Sequence, residues 1–176
     1  MSYCGGHGIY LNANALVTDC IAHDNTGAGI YFYASGTATG CMSYRNGWGI
    51  TISGSNALTN CVFLANTGDG INGGGNAVIT NCVANSNGSE GMNISGGCLV
   101  ENCTANNNTS DGIYATGGDS IIRGNVCDGN GAGTGDGAGI HVIGSENRIE
   151  GNNCTDNDRG IDVDSTGNLI IRNTCG

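Results

Sequence analysis

Short stretches of alternating apolar and polar residues recur along the chain, each opened by a glycine. Examples are Gly8-Ile9-Tyr10-Leu11, Gly49-Ile50-Thr51-Ile52, Gly139-Ile140-His141-Val142 and Gly160-Ile161-Asp162-Val163. Period two is the side-chain period of a β-strand, so Ile50, Ile52, Ile140, Val142, Ile161 and Val163 share an inner face and the residues between them an outer one. The opening glycines are Gly8, Gly29, Gly49, Gly70, Gly91, Gly112, Gly139 and Gly160, with steps of 21, 20, 21, 21, 21, 27 and 21 residues. A second apolar file runs Val17, Ala38, Leu58, Ile79, Val100, Ile122, Ile149 and Ile170. An asparagine file runs Asn25, Asn46, Asn66, Asn87, Asn108, Asn130 and Asn157. All three files absorb the same insertion at the same place, so each repeat is one physical coil. The period is too short for ankyrin or tetratricopeptide units, and no helical apolar period appears.

Coils stacked ~4.8 Å apart let each strand pair with its equivalents above and below. The pattern therefore predicts an all-β fold: one parallel β-solenoid domain over residues 1–176, of about eight coils of about 21 residues. The glycine before each strand is expected to turn a corner at positive φ. The asparagines are expected to bond along the stack, as amide ladders do in other cross-β assemblies. Cys20, Cys41, Cys61, Cys82 and Cys103, then Cys127, Cys154 and Cys175 two places further on, fall on inward positions. They read as columns of small apolar side chains, unbridged and with raised pKa values. Cys98 is expected to join the core and Cys4 to lie near an end. The chain begins and stops in mid-pattern with no capping helix, which leads us to expect a fragment of a longer protein or end-to-end association of rods.

Composition narrows the partners. Charged residues are 11% of the chain, the net charge is −10, and lysine is absent. The only basic side chains besides histidine are Arg45, Arg123, Arg148, Arg159 and Arg172. Clustered Lys/Arg for nucleic-acid phosphates is missing, and so is any apolar run long enough to span a membrane.

The run Asn147-Arg-Ile-Glu-Gly-Asn-Asn-Cys154, followed by Asn157 and Gly160-Ile161, resembles the repeat of right-handed parallel β-helix proteins. That superfamily includes pectate-lyase-like and NosD-like proteins. The resemblance covers almost the whole chain. It implies a right-handed helix, a polysaccharide-interacting module, and a secreted or cell-surface location. A purely structural, adhesin-like rod is the alternative, and a lyase or epimerase acting on uronate sugars is another. The Asp-Pro-His motif typical of the epimerases is missing, since the chain contains no proline.

Stacking converts one-coil spacing into contact, and the outward files can be read on that basis. After the Gly-Ile pairs the file reads Tyr10, Tyr31, Thr51, Asn72, Asn93, Tyr114, His141 and Asp162. Tyr114, His141 and Asp162 are thus expected as neighbours, with Asp164 on the same strand as Asp162 and Arg159 just before it. Such a set suits proton transfer beside a sugar carboxylate that Arg159 would neutralise. The insertion around residues 130–139 is expected to wall a cleft there. Tyr10, Tyr31, Tyr33 and Trp48 form an aromatic group suited to stacking on sugars. Asp69, Glu90 and Asp111 form an acidic file, a candidate calcium site. No other cofactor is implied.

Overall fold

The computed structural model describes residues 4–131 and 137–176. The chain winds as a parallel β-solenoid with three strand-bearing faces. The first sheet stacks eight strands: Ile9–Leu11, Ala28–Phe32, Trp48–Ile52, Ile71–Gly73, Met92–Ile94, Ile113–Ala115, Ala138–Val142 and Arg159–Val163. The second also has eight, from Ala15–Thr18 to Leu169–Ile171. The third is in two parts, Ile21–His23 to Val83–Asn85 and Val126–Asp128 to Thr174–Cys175. Single bridges through Thr104 join those parts. Main-chain bonds continue across that gap, and side chains add to them: the Asn85 amide oxygen accepts the Asn106 N–H, and that of Asn106 accepts the Asp128 N–H.

The period-two reading holds along the body of the rod, while in the last coil Ile161 and Val163 are half-buried and Ile170 is exposed. Ile30, Ile50, Ile71, Met92, Ile113 and Ile140 are fully buried from the first sheet, as are Ala38, Leu58, Ile79, Val100, Ile122 and Ile149 from the second. The third contributes Ala22, Phe63, Ala84, Ala105, Cys127 and Cys154. The core is a single apolar filament along the rod.

The asparagine file is a continuous ladder. The Asn66 N–H and side-chain amide both donate to Oδ1 of Asn87, and the same pair of bonds links Asn25 to Asn46, Asn87 to Asn108 and Asn130 to Asn157. The amide also donates to a main-chain carbonyl, as Asn87 does to Phe63. A second ladder, Asn125–Asn152–Asn173, replaces the cysteine column in the last coils. A third begins at Ser120 and runs through Asn147 to Asn168.

The glycine expectation is corrected. None of the glycines in the Gly-Ile pairs has positive φ. They are required by close approach instead. A Cβ on Gly91 would stand 2.5 Å from the Gly112 carbonyl oxygen and 2.6 Å from the Asn108 amide. The left-handed residues lie at other corners, directly before the ladder positions. Asp19, Gly40, Asn60, Asn81, Asn102, Gly124 and Gly151 form one file, and Asp24, Arg45, Ala65, Ser86, Asn107, Gly129 and Asp156 another. Asn, Asp and Gly carry that conformation at lowest cost, which explains much of the composition.

All ten cysteines are unbridged. Cys41, Cys61, Cys82, Cys98, Cys103, Cys127 and Cys154 are buried, Cys4 and Cys20 partly so, and Cys175 is exposed. Burial pushes the Cys41 and Cys98 thiols up. The expectation of a uniform rise fails further along the column, where neighbouring thiols hydrogen-bond. Its bond with Cys103 holds Cys82 up, while the Cys82 thiol pulls Cys61 down to about 7.

Candidate functional site

The outward file of the first sheet is in the register that the repeat dictates. Tyr10 pairs with Tyr31, Tyr31 with Thr51, Thr51 with Asn72, Asn72 with Asn93, Asn93 with Tyr114, Tyr114 with His141, and His141 with Asp162. One strip of side chains therefore runs the length of the rod, with rings towards both ends and amides or hydroxyls between.

Tyr10 and Tyr31 stack face to face, with centroids 5.3 Å apart and planes 6° from parallel. His7 completes the group, stacked on Tyr31 at 4.4 Å and anchored by the Ala28 N–H donating to its Nδ1 at 3.0 Å. Tyr10 remains 56% exposed, so the platform faces solvent. Tyr33 is 61% exposed, two residues beyond Tyr31. Trp48 is 42% exposed and pairs with Ala28 in a neighbouring file, lying against Gly68 of the next coil.

Tyr114, His141, Arg159, Asp162 and Asp164 come together. The Tyr114 and His141 rings are 5.1 Å apart and tilted by 48°. His141 Nε2 lies 3.2 Å from Asp164 Oδ2, and Arg159 donates to Asp162 Oδ2 at 2.6 Å. A sixth residue, Asp111, belongs to the same group. Its Oδ2 is 3.1 Å from His141 Nδ1, and its Oδ1 accepts the Ala138 N–H at 2.7 Å. Burial lowers the His141 pKa, but the hydrogen bond to Asp164 and the charge and hydrogen bond of Asp111 outweigh it. The ring therefore titrates above its ordinary 6.5. The cleft wall expected from the insertion falls largely on residues 132–136, outside the described residues.

The acidic file divides. Asp69 is buried and accepts the side-chain amide of Asn72 and the Glu90 N–H. Glu90 bonds to Ser89, and burial together with the neighbouring Asp69 raises its pKa. Asp111 turns instead to His141. Among the described residues, the one group bringing three His, Cys or carboxylate ligand atoms within 4.8 Å of one another is His141, Asp162 and Asp164.

His7 and the role of Asp111 were absent from the sequence reading, although one spacing encodes both. The file immediately before each Gly-Ile glycine is His7, Ala28, Trp48, Asp69, Glu90, Asp111, Ala138 and Arg159. Its members reach the outward file three places on, within a coil for Asp69 with Asn72 and Arg159 with Asp162. Ala138 is too small to fill its place in that file, and His141 reaches back past it to Asp111 of the preceding coil.

These features define a right-handed parallel β-helix carrying one continuous polar and aromatic file. The chain belongs to the right-handed β-helix family: the family described as "Right handed beta helix region" matches residues 1–99 and again 71–175. No curated protein matches it in sequence. Among solved structures it is similar to the Azotobacter vinelandii mannuronan C-5 epimerase AlgE6 A-module, with a TM-score of 0.76 and 11% identity. That match covers 97% of this chain and 58% of the epimerase module. It is also similar to pectate lyase Pel9A, with a TM-score of 0.63 and 20% identity, covering 85% of this chain and 47% of the lyase. The chain thus spans about half the length of these structures. At these identities the likeness is one of fold. By their names, both neighbours act on polysaccharides.

Proposed function

We propose that the protein is a polysaccharide-interacting β-helix module that holds a glycan chain along the outward file of the first sheet. The observation that carries this reading is the stacked, solvent-facing His7–Tyr10–Tyr31 platform, set in the same file as Tyr114 and His141. Flat amphipathic rings offer apolar area to a sugar face at small entropic cost, and the amides of Asn72 and Asn93 offer donors and acceptors to its hydroxyls. Polysaccharide-acting proteins share the fold, which supports the reading further. The test is retention of the protein by immobilised neutral and uronate glycans. Tyr31→Ala, its fold checked by circular dichroism, should lose at least tenfold in affinity for the glycan that the native protein binds. A structural rod would show no retention, or retention indifferent to Tyr31→Ala.

The grouping of Tyr114, His141, Arg159, Asp162 and Asp164 favours a second reading, proton transfer on a uronate sugar. In this reading one side chain removes the proton next to the sugar carboxylate, another returns a proton, and Arg159 neutralises the carboxylate. It requires Nε2 of His141 to leave Asp164. Incubating a glycan panel in heavy water and weighing the products tests it. Deuterium gained without cleavage marks epimerisation and unsaturated fragments mark a lyase. Unchanged glycans, identical with His141→Ala, end this reading.

A further inference from the structure

We propose that His141, Asp162 and Asp164 form a binding site for a divalent transition-metal ion of the zinc class, with Asp111 as the positioning carboxylate behind the imidazole. The ligand atoms already converge within 4.8 Å of one another. The 3.2 Å between His141 Nε2 and Asp164 Oδ2 is close to the edge, about 3.4 Å, of a tetrahedron with ~2.1 Å metal–ligand bonds.

The contacts behind the ring fit the same assignment. Asp111 is 6% exposed, and its Oδ1 is committed to the Ala138 N–H. With its Oδ2 at Nδ1 of His141, the ring is held with Nε2 turned outward, towards Asp164. A proton on Nε2 makes the contact with Asp164 a hydrogen bond, and a metal ion that displaces the proton takes the same position between the two atoms. A histidine backed by a carboxylate on its other nitrogen is the arrangement that orients imidazole ligands in metal sites. Arg159 holds Asp162 through Oδ2, leaving Oδ1 for the ion. The Asp164 side chain is 62% exposed, so the site opens outward and leaves room for water or another ligand on the metal. A nitrogen ligand with two carboxylates suits zinc and its neighbours better than calcium, which takes oxygen ligands.

The inference does not rest on the glycan reading, because the probe is the metal alone. Calorimetric titration of the whole protein with Zn²⁺, and the visible spectrum with Co²⁺, should show one equivalent bound without sulfur ligation. His141→Ala should abolish that binding. Asp164→Asn, at an exposed position where the fold is not at stake, should weaken it at least tenfold. Asp111→Asn should weaken it about 10–100-fold while leaving the Co²⁺ band shape unchanged, the mark of a positioning residue. Absence of binding overturns the proposal. So does binding that survives His141→Ala and Asp164→Asn, or a Co²⁺ spectrum with the thiolate charge-transfer band that exposed Cys175 would give.

Discussion

At the scale of the residue, the ladder asparagines are the most exacting positions. Asn87 accepts two bonds from Asn66 and donates to the Phe63 carbonyl and to Asn108. Asn87→Ala would remove the acceptor of the Asn66 N–H and amide and the donor to the Phe63 carbonyl, at about 1–3 kcal/mol for each buried group left unpaired. We expect a loss of about 3–6 kcal/mol, read from urea denaturation. His141 gives a pH-dependent prediction. Its folded pKa lies above the ordinary 6.5, so its stabilisation is fully present below that value and is lost as pH rises through the folded pKa. The native protein should therefore exceed His141→Ala in melting temperature by more at pH 5.5 than at pH 8.5. An equal difference at both would mean that the bonds to Asp111 and Asp164 do not form in solution.

At the scale of the element, the repeat made the strands legible because two periods reinforce each other. The alternation within a strand sets which side chains face inward, and the coil length sets which residues pair. The pairing of Tyr114 with His141, and of His141 with Asp162, follows from counting. The corners were less legible. Glycine is permissive at positive φ, so the glycine of each Gly-Ile pair was assigned the bend. The chain instead bends at Asn60, Ala65, Ser86 and their equivalents, and uses those glycines to let coils approach. The contact of Asp111 with His141 is hard to read for a related reason. Counting gives files, but a side chain beside a small residue such as Ala138 can cross from one file to the next. The glycine account predicts a contrast. Gly91→Ala should destabilise by about 2 kcal/mol or more, since backbone oxygen must move to admit the methyl group. Gly75→Ala, whose nearest neighbour would be 3.5 Å away, should be neutral or slightly stabilising. Thermal melts of the two variants check it.

Across the whole rod, most of the thiols are sealed in the core. Native protein treated with iodoacetamide should be labelled first at exposed Cys175. The buried thiols from Cys41 to Cys154 should react only in denaturant, whatever their pKa, because a close-packed interior does not admit the reagent. The charge of −10 bears on the partner. It repels an acidic glycan over a Debye length, so binding of a uronate polymer should strengthen as salt rises, the reverse of a basic binder. A neutral glycan should be indifferent to salt, and the comparison sorts the two classes.

The proposed glycan path runs along one file of the first sheet. Hydroxyl-radical footprinting with and without a retained glycan tests it most directly, because the second and third sheets supply internal controls. We expect protection of Tyr10, Tyr31 and Tyr114, with no change at Leu16 and Ile121 of the second sheet or at Ile21 and Met42 of the third. Protection centred on the second or third sheet, or spread evenly around the rod, would contradict it.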